Sequence, residues 1–393
     1  MELINVKDSP ELLIVFLQGY IDSSNAGELE REIAEARSRS GADRLLLDAE
    51  RLAYISSAGL RVILRLRKQL PELTVVNVSP EVYEIFDMTG FTEMMEVRKA
   101  VRQISVEGCE VVGEGANGKV YRIDRDTIVK VYRNPDALPE IRRERELART
   151  AFILGVPTAI PYDVVRVGEA YGSVFELLDA ASFAQLLQRG EKSVEEIAEM
   201  SVDLLKRIHA TEVKPDSMPD MRAVALDWAA FLKDYLPADQ YERLRGLIAA
   251  VPEDPHMLHG DYHIKNIMLQ NGESLLIDMD TLCWGHPIFE LASMYNAYCG
   301  YGELDDTVAP AFLGIPQETA TEFWKTSLRM YLGTEDARRL REVEDKARIV
   351  GYTRALRRRI RRGGFETEAG RAEIAHYRER LAELLPRVDS LLF

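Results

Sequence analysis

Over residues 1 to about 98, short apolar runs alternate with amphipathic stretches. Leu12 to Leu17, Arg44 to Leu47 and Leu73 to Val78 read as strands, because β-branched and leucine residues dominate each run. Between them Ala26 to Arg37, Ala58 to Leu70 and Pro80 to Thr89 read as helices, the second carrying an apolar stripe of Leu60, Ile63, Leu64, Leu66 and Leu70. Strands that alternate with helices predict an α/β layer, with helices packed on a sheet. The charged stretch Val97-Arg-Lys-Ala-Val-Arg-Gln103 marks a boundary, and residues 99–104 are expected to be a linker.

From Ser105 the pattern changes. Val111 to Ile123 reads as strand, glycine turn and strand, Thr127 to Tyr132 as a third strand, and Pro139 to Leu154 as a charged helix. Gly172 to Leu177 is a further strand that ends near Asp179. Helical patterns follow: Val194 to Thr211, Ala223 to Asp234, Asp239 to Ala250, Glu290 to Tyr298, and several from Thr319 onward. The second unit, 105–393, is therefore α+β and bilobal, with a β-rich small lobe at 105–179 and a helical lobe at 180–393.

Composition narrows the reading. A chain of 393 residues suggests two or three domains, at ~100–200 residues each. A formal net charge of −15 disfavours general attraction to nucleic acid or anionic membrane. The three cysteines, Cys109, Cys283 and Cys299, form no close pair, which argues against a disulfide framework and a thiolate zinc site. The first residues lack a basic segment leading into an apolar one, and no apolar run approaches the ~18 residues of a membrane helix, so a cytoplasmic location is expected.

The most specific chemistry lies in His259-Gly-Asp-Tyr-His-Ile-Lys-Asn266, followed by Ile277-Asp-Met-Asp280. An Asp, an Asn five residues on and another Asp about a dozen further are what phosphoryl transfer requires. One carboxylate orients the attacking hydroxyl, while an amide and a second carboxylate hold magnesium against the nucleotide phosphates. The segment resembles the catalytic and metal loops of the aminoglycoside phosphotransferase family, small-molecule relatives of the protein kinases. That resemblance, which covers about Val106 to Tyr298, implies a bilobal kinase-like fold. It implies Asp261 as catalytic base, Asn266 and Asp278 as magnesium ligands, and ATP or another nucleoside triphosphate as donor. Asp278 is preferred to Asp280 because the family places its metal aspartate directly after the apolar strand. His259 is expected to brace the loop.

The remaining phosphate-handling residues stand in the family's order. Gly113-x-Gly115-x-x-Gly118 allows a tight hairpin whose backbone N–H groups can approach phosphates. Lys130, mid-strand among β-branched residues, is expected to contact the α/β-phosphates and to be held by a helix carboxylate. Glu144 is assigned that role, with Glu146 as the fallback. Three nearby histidines, His256, His259 and His263, raise zinc as a rival, but His-Gly-Asp breaks helical phase and does not put two rings on one helix face. One departure is Glu290, where the family usually has Asp. The arginines Arg354, Arg357, Arg358, Arg359, Arg361 and Arg362 form a dense basic helix end. It is read as a solvated face of an acidic protein rather than an anionic-substrate or nucleic-acid patch.

The first unit has its own resemblance. Gly19-Tyr-Ile-Asp22, Leu46-Leu-Asp48, Tyr54-Ile-Ser-Ser-Ala-Gly-Leu60 and Thr89-Gly-Phe91 resemble the STAS domain of anti-sigma factor antagonists, in that family's order. The resemblance implies Ser57 as a regulatory phosphoacceptor and a protein partner for residues 1–98. Ser56 stands where well-known phosphorylated members carry Asp. Either serine can cap the following helix, whose free N–H groups would also meet a phosphate.

Together these readings give an ATP- and magnesium-dependent phosphotransferase acting on a hydroxyl acceptor, a small molecule, with an STAS regulatory or docking domain. No nucleic acid or membrane partner is expected, and the oligomeric state is left open. The alternatives are a catalytically weak nucleotide-sensing regulator, or a kinase of an STAS serine, in a partner switch of the anti-sigma type.

Overall fold

A computed structural model describes residues 4–8, 12–115 and 118–393, except for the side chains of Asn5 and Asp8. The chain divides into two compact units, Met1–Ile104 and Ser105–Phe393.

In the first unit the elements run β1 (Ile4–Asp8), β2 (Leu12–Ile21), α1 (Ala26–Ser40), β3 (Arg44–Ile55), α2 (Ser57–Gln69), β4 (Thr74–Val78), α3 (Pro80–Met88), α4 (Phe91–Met94), β5 (Glu96–Lys99) and β6 (Arg102–Ile104). The sheet has the order β1-β2-β3-β4-β5; β1 and β2 are antiparallel and the other neighbours parallel. Parallel neighbours need crossovers, which α1, α2 and α3 with α4 supply. Alternate residues Leu13, Val15 and Leu17 of β2 are buried, as are Leu45, Leu47 and Ala49 of β3. α1 and α2 bring Leu29, Ile33 and Ala36, and Leu60, Ile63 and Leu66, to the same core.

β3 runs eight residues beyond the Leu47 at which the sequence pattern stops. Past Asp48 the inward positions become Ala49, Leu52 and Ile55, a spacing of three instead of two. The β2–β3 pairing shifts register between Phe16 and Gln18 and again between Gly19 and Tyr20. Each bulge inserts a residue and re-aims the next side chain, so the strand continues without its two-residue alternation. α2 then starts close against the sheet: a Cβ on Gly59 would sit 2.6 Å from Ile21 and 2.7 Å from Ile55.

The second unit opens with β7 (Glu110–Glu114), β8 (Gly118–Arg122), β9 (Thr127–Tyr132), α5 (Leu138–Ile153), β10 (Pro161–Val167) and β11 (Ala170–Glu176). These strands lie in the order β10-β11-β9-β8-β7, antiparallel in each pairing given by register. The helical lobe follows: β12 (Ala181–Ser182), α6 (Phe183–Gln188), α7 (Val194–His209), α8 (Met221–Phe231), α9 (Ala238–Ala249), β13 (Met257–Leu258), β14 (Ile267–Gln270), β15 (Glu273–Leu276), β16 (Cys283–Trp284), α10 (Ile288–Tyr298), α11 (Val308–Leu313), α12 (Gln317–Leu332), α13 (Ala337–Arg361) and α14 (Glu368–Leu384). α10 is buried on every side, as a helix apolar nearly all round must be, and packs on α13. No helix among the described residues is long and apolar enough to cross a membrane.

Candidate active site

The segment after β13 is held by its backbone. Gly260 has φ +81°, and a Cβ there would lie 2.4 Å from the Thr281 carbonyl oxygen, so both conformation and space require glycine. Glu290, fully buried at the start of α10, accepts the amide N–H groups of His259 and Gly260, the latter at 3.0 Å. Thr281 Oγ1 donates to the His259 carbonyl at 2.8 Å, while Ser293 Oγ (3.1 Å) and Arg354 Nη1 (3.0 Å) donate to that of Gly260. His259 Nε2 donates to the Ile277 carbonyl at 3.2 Å, so its Nδ1 is free to accept the Asp261 amide at 3.3 Å. The ring braces the loop by both nitrogens.

This leaves the Asp261 side chain half-buried at the surface of the lobe, with His263 Nε2 3.5 Å from its carboxylate. Burial pushes that carboxyl up, but His263, then Arg354 and His259, outweigh it and hold the group at about 2. Asp261 is an anion at any physiological pH.

A hairpin brings the next two candidates together. β14 and β15 pair across Asn271-Gly272, whose φ values of +52° and +84° suit a two-residue turn. Asn266 precedes β14 and Asp278 follows β15, and the Ile277 amide donates to the Asn266 carbonyl at 3.0 Å. Asn266 Nδ2 donates to the Asp261 carbonyl at 3.1 Å, which commits the amide nitrogen and frees its oxygen. Asp278 adopts a left-handed conformation, φ +64°, a region that Asp tolerates better than most residues.

Asp278 Oδ1 meets Lys130 Nζ at 2.7 Å, and the same ammonium meets Glu144 Oε1 at 3.1 Å. Burial would lower the Lys130 pKa, but the Glu144 and Asp278 charges prevail and raise it. Glu144, on α5, takes a second bond from the Tyr132 hydroxyl. Tyr132 escapes a motif reading. Its signal is position: it lies two residues beyond Lys130 and so on the same strand face. Asp280 is exposed and near this cluster. Partial burial of its carboxyl, then the Asp278 and Glu144 charges, push it up to about 7. Asp278 therefore sits inside the lysine–glutamate contact and Asp280 outside it.

The glycine hairpin forms the adjoining edge of the sheet. Val120 is the β8 neighbour of Lys130 and Gly118 that of Tyr132; the Gly115 amide donates to the Gly118 carbonyl at 3.0 Å. A Cβ at Gly118 would lie 2.0 Å from the Val131 carbonyl oxygen, whereas none of the described atoms lies within 4 Å of one at Gly115. Gly118 is thus required by strand packing, and Gly115 leaves room above the hairpin. Ala116 and Asn117 lie outside the described residues.

The donor set, a carboxylate and an amide oxygen, suits a hard divalent cation. Among the described residues no three His, Cys, Asp or Glu side chains group tightly enough to hold a metal ion unaided. Magnesium is commonly held by one or two protein oxygens plus substrate phosphates. The three histidines diverge. His256 pairs with Asp254, His259 reaches Ile277, and His263 faces Asp261 and packs edge-on against Phe312.

The basic end of α13 is solvated in part: Arg358, Arg361 and Arg362 are exposed, while Arg354, Arg357 and Arg359 are half-buried. Arg354 reaches the Gly260 carbonyl, Arg357 lies over the Phe231 ring, Arg358 over Tyr301, and Arg359 pairs with Glu373 at 3.0 Å. Sequence reasoning missed the link from Arg354 to the catalytic segment, because 94 residues separate the two partners.

In the first unit Ser56 is the N-cap of α2, its hydroxyl accepting the Ala58 amide at 3.2 Å. Ser57 is the first helical residue and is exposed. Exposed Tyr54 precedes the cap and lies 6.4 Å, ring to ring, from exposed Tyr20.

A model of the phosphotransferase enzyme family matches residues 108–324, and an STAS domain model matches residues 4–104. A putative anti-sigma factor antagonist, BtrV of Bordetella bronchiseptica, is 46% identical over 90 residues, 22% of this chain and 77% of that protein. Among solved structures, a thermostable mutant of aminoglycoside phosphotransferase APH(4)-Ia, in ternary complex with AMP-PNP and hygromycin B, is similar at a TM-score of 0.48 and 14% identity, over 71% of this chain and 93% of that one. A choline/ethanolamine kinase family protein from Mesorhizobium loti is similar at a TM-score of 0.45 and 17% identity, over 70% and 87% of the respective chains.

Proposed function

The chain belongs to the phosphotransferase enzyme family and carries an STAS domain, and from that premise we propose that it transfers the γ-phosphoryl group of ATP to a hydroxyl of a small molecule. The observation that carries this reading is the convergence of Lys130 on Glu144 and Asp278, at 3.1 and 2.7 Å. A half-buried lysine shared between a helix carboxylate and a loop carboxylate is poised to exchange the latter for nucleotide phosphates.

In this reading Lys130, positioned by Glu144 and Tyr132, binds the α/β-phosphates, and the Gly113–Gly118 hairpin covers them. Asp278 and the Asn266 amide oxygen would hold magnesium, which when bound neutralises charge on the phosphates. Asp261 accepts a hydrogen bond from the acceptor hydroxyl and takes its proton as the new O–P bond forms and the bond to the departing ADP oxygen breaks. Its low pKa makes it a weak base. That suits a largely dissociative transition state, in which positioning counts for more than early proton abstraction. A cytoplasmic location, where ATP is at hand, fits this reading.

For the STAS unit we propose regulation or docking through a protein partner, with Ser57 as phosphoacceptor. Its exposure and its place at the N-terminus of α2 support this, since a phosphate there meets free N–H groups and the positive dipole end. Ser56 already caps the helix, which leaves the Ser57 hydroxyl free of that duty.

The test is ATP turnover against a panel of hydroxyl compounds, with intact-mass analysis of the protein. Asp261→Asn is expected to reduce transfer by orders of magnitude and leave nucleotide binding intact, while Asp278→Asn weakens magnesium-dependent binding. Full turnover in both variants would remove the catalytic assignment.

A further inference from the structure

The helical lobe contains a cavity of about 540 Å³, bounded by Gly300, α11, the C-terminal end of α13 and the start of α14. Arg358, Arg359 and Arg362 line it, together with the rings of Tyr301 and Phe312. Its lining is net positive, three arginines against two carboxylates, Glu373 and Asp305, of which only Glu373 is ion-paired. Glu373 pairs with Arg359 at 3.0 Å, and Asp305 takes the Thr307 amide and hydroxyl at 2.9 and 2.6 Å. Arg358 donates to the Tyr301 hydroxyl at 3.2 Å, and among the described residues neither Arg358 nor Arg362 has a carboxylate partner.

Two paths join this cavity to Asp261. Arg354, Arg358 and Arg362 stand four residues apart and so form one row along α13, each step about 6 Å. The first of the row bonds the Gly260 carbonyl, next to Asp261. On the other wall, the Phe312 ring lies 4.9 Å from that of His263, whose Nε2 is 3.5 Å from the Asp261 carboxylate. The cavity thus adjoins, through Arg354 and Phe312, side chains that touch the catalytic segment, and guanidinium groups without a carboxylate partner line its side.

We propose that this cavity receives the acceptor, and that the acceptor is a hydroxylated small molecule bearing a phosphate or a carboxylate, which Arg358 and Arg362 bind. The inference rests on the reading of Asp261 given above. The planar guanidinium fork matches both anions and forms charge-assisted hydrogen bonds with them. The volume lies within the roughly 300–1,000 Å³ of small-molecule sites, and aromatic walls can cover an apolar face of the ligand. An ammonium-bearing acceptor would meet like charge at the same place.

Four probes with one skeleton separate these chemistries: glucose 6-phosphate, gluconate, glucose and glucosamine. Each is titrated calorimetrically into the full chain at low salt, with AMP-PNP and magnesium filling the nucleotide site. At least one anion is expected to bind roughly tenfold tighter than glucose, the gain of one charge-assisted hydrogen bond, and glucosamine no tighter than glucose. The phosphate and carboxylate arms show which anion is preferred. In Arg358→Gln/Arg362→Gln the preference is expected to fall to within about twofold, with AMP-PNP affinity unchanged; both side chains are exposed, so an unchanged melting temperature is expected. Equal affinity for glucose and both anions, tighter binding of glucosamine, a preference that survives in the double variant, or no anion binding up to about 10 mM overturns the proposal. ATP turnover of Asp261→Asn is read separately. Its loss alongside absent anion preference sinks the acceptor class alone, whereas undiminished turnover sinks the catalytic reading.

Discussion

Glu290→Gln tests how the catalytic segment is held. The wild-type carboxylate is fully buried and accepts the amides of His259 and Gly260, with His209 Nε2 3.9 Å away. Glutamine keeps the shape and one acceptor oxygen but removes the charge and forces an NH2 group towards one of the two donors. Losing one hydrogen bond to a charged group costs about 1.5–3 kcal/mol. At about 2–4 °C per kcal/mol for a unit of this size, the melting temperature should fall by roughly 3–12 °C. Glu290→Ala, which strands both donors and opens a cavity, should cost about 3–5 kcal/mol.

The pH dependence gives a second, sharper readout. Burial would raise the Glu290 pKa, but His209, His259 and the Gly260 amide outweigh it, and the group is held below its ordinary 4.5. A depressed carboxylate contributes stability that is fully present above the unfolded value and is lost as pH falls through the folded one. Glutamine does not titrate. The stability gap between wild type and Glu290→Gln, from urea denaturation, should therefore be constant above about pH 5.5 and narrow below about pH 4.5. A gap under about 0.5 kcal/mol at pH 7, or one that fails to narrow in acid, refutes the account of a charged carboxylate gripping the loop. Phosphoryl transfer should fall with ATP affinity nearly unchanged, because Glu290 positions the Asp261 segment.

Glu144→Gln and Asp278→Asn should separate stability from binding: Glu144 is 5% exposed in its side chain and Asp278 39%, so the first should cost about 3 kcal/mol in urea denaturation and the second about 1 or less. Equal losses would show that the lysine depends on both partners alike. Gly118→Ala should destabilise the β8–β9 pairing, seen as faster amide exchange there, whereas Gly115→Ala should leave the melting temperature unchanged and raise KM for ATP. If Gly115→Ala leaves KM untouched, the hairpin does not cover phosphates. Ser56→Ala should speed amide exchange in the first turn of α2 by loss of a cap of about 1 kcal/mol, and Ser57→Ala should not; the reverse result would assign the cap to Ser57.

The parts of the molecule legible in the sequence were those written in local periodicity or in short spacing. The β9 strand Thr127–Tyr132 and the α5 helix Leu138–Ile153 carry their own patterns, which is why Lys130 and Glu144 could be paired from the chain alone. β10 was not seen: Pro161-Tyr-Asp-Val-Val-Arg-Val167 has no clean alternation, and it becomes a strand through its pairing with β11. β1 was missed because Ile4-Asn-Val-Lys-Asp8 carries only two apolar residues, and it becomes a strand through its pairing with β2. The Asn271-Gly272 turn was a strong local signal that went unread. The arginines of α13 illustrate the opposite case. Their density is visible, but whether each meets a carbonyl, a ring or a carboxylate depends on elements tens of residues away.

The same dependence explains how one buried helix fixes the chemistry. Glu290, Ser293 and Asn296 lie three residues apart on α10 and face one way. The first two hold the amides and the carbonyl of the His259–Gly260 turn. The third donates through Nδ2 to the Gly351 carbonyl of α13 at 2.8 Å. A Cβ on Gly351 would lie 2.8 Å from Asn296 Oδ1 and 3.2 Å from the Ala292 carbonyl, so α13 can approach this closely only with glycine there. Arg354 is the next residue on that face of α13, three positions on, and the close approach lets its guanidinium reach both Ser293 Oγ, at 2.8 Å, and the Gly260 carbonyl. The position of Asp261 is thus set from behind by two helices far along the chain. Their only mark in the family motif is an acidic residue at 290, where the longer side chain of Glu spans both amide groups.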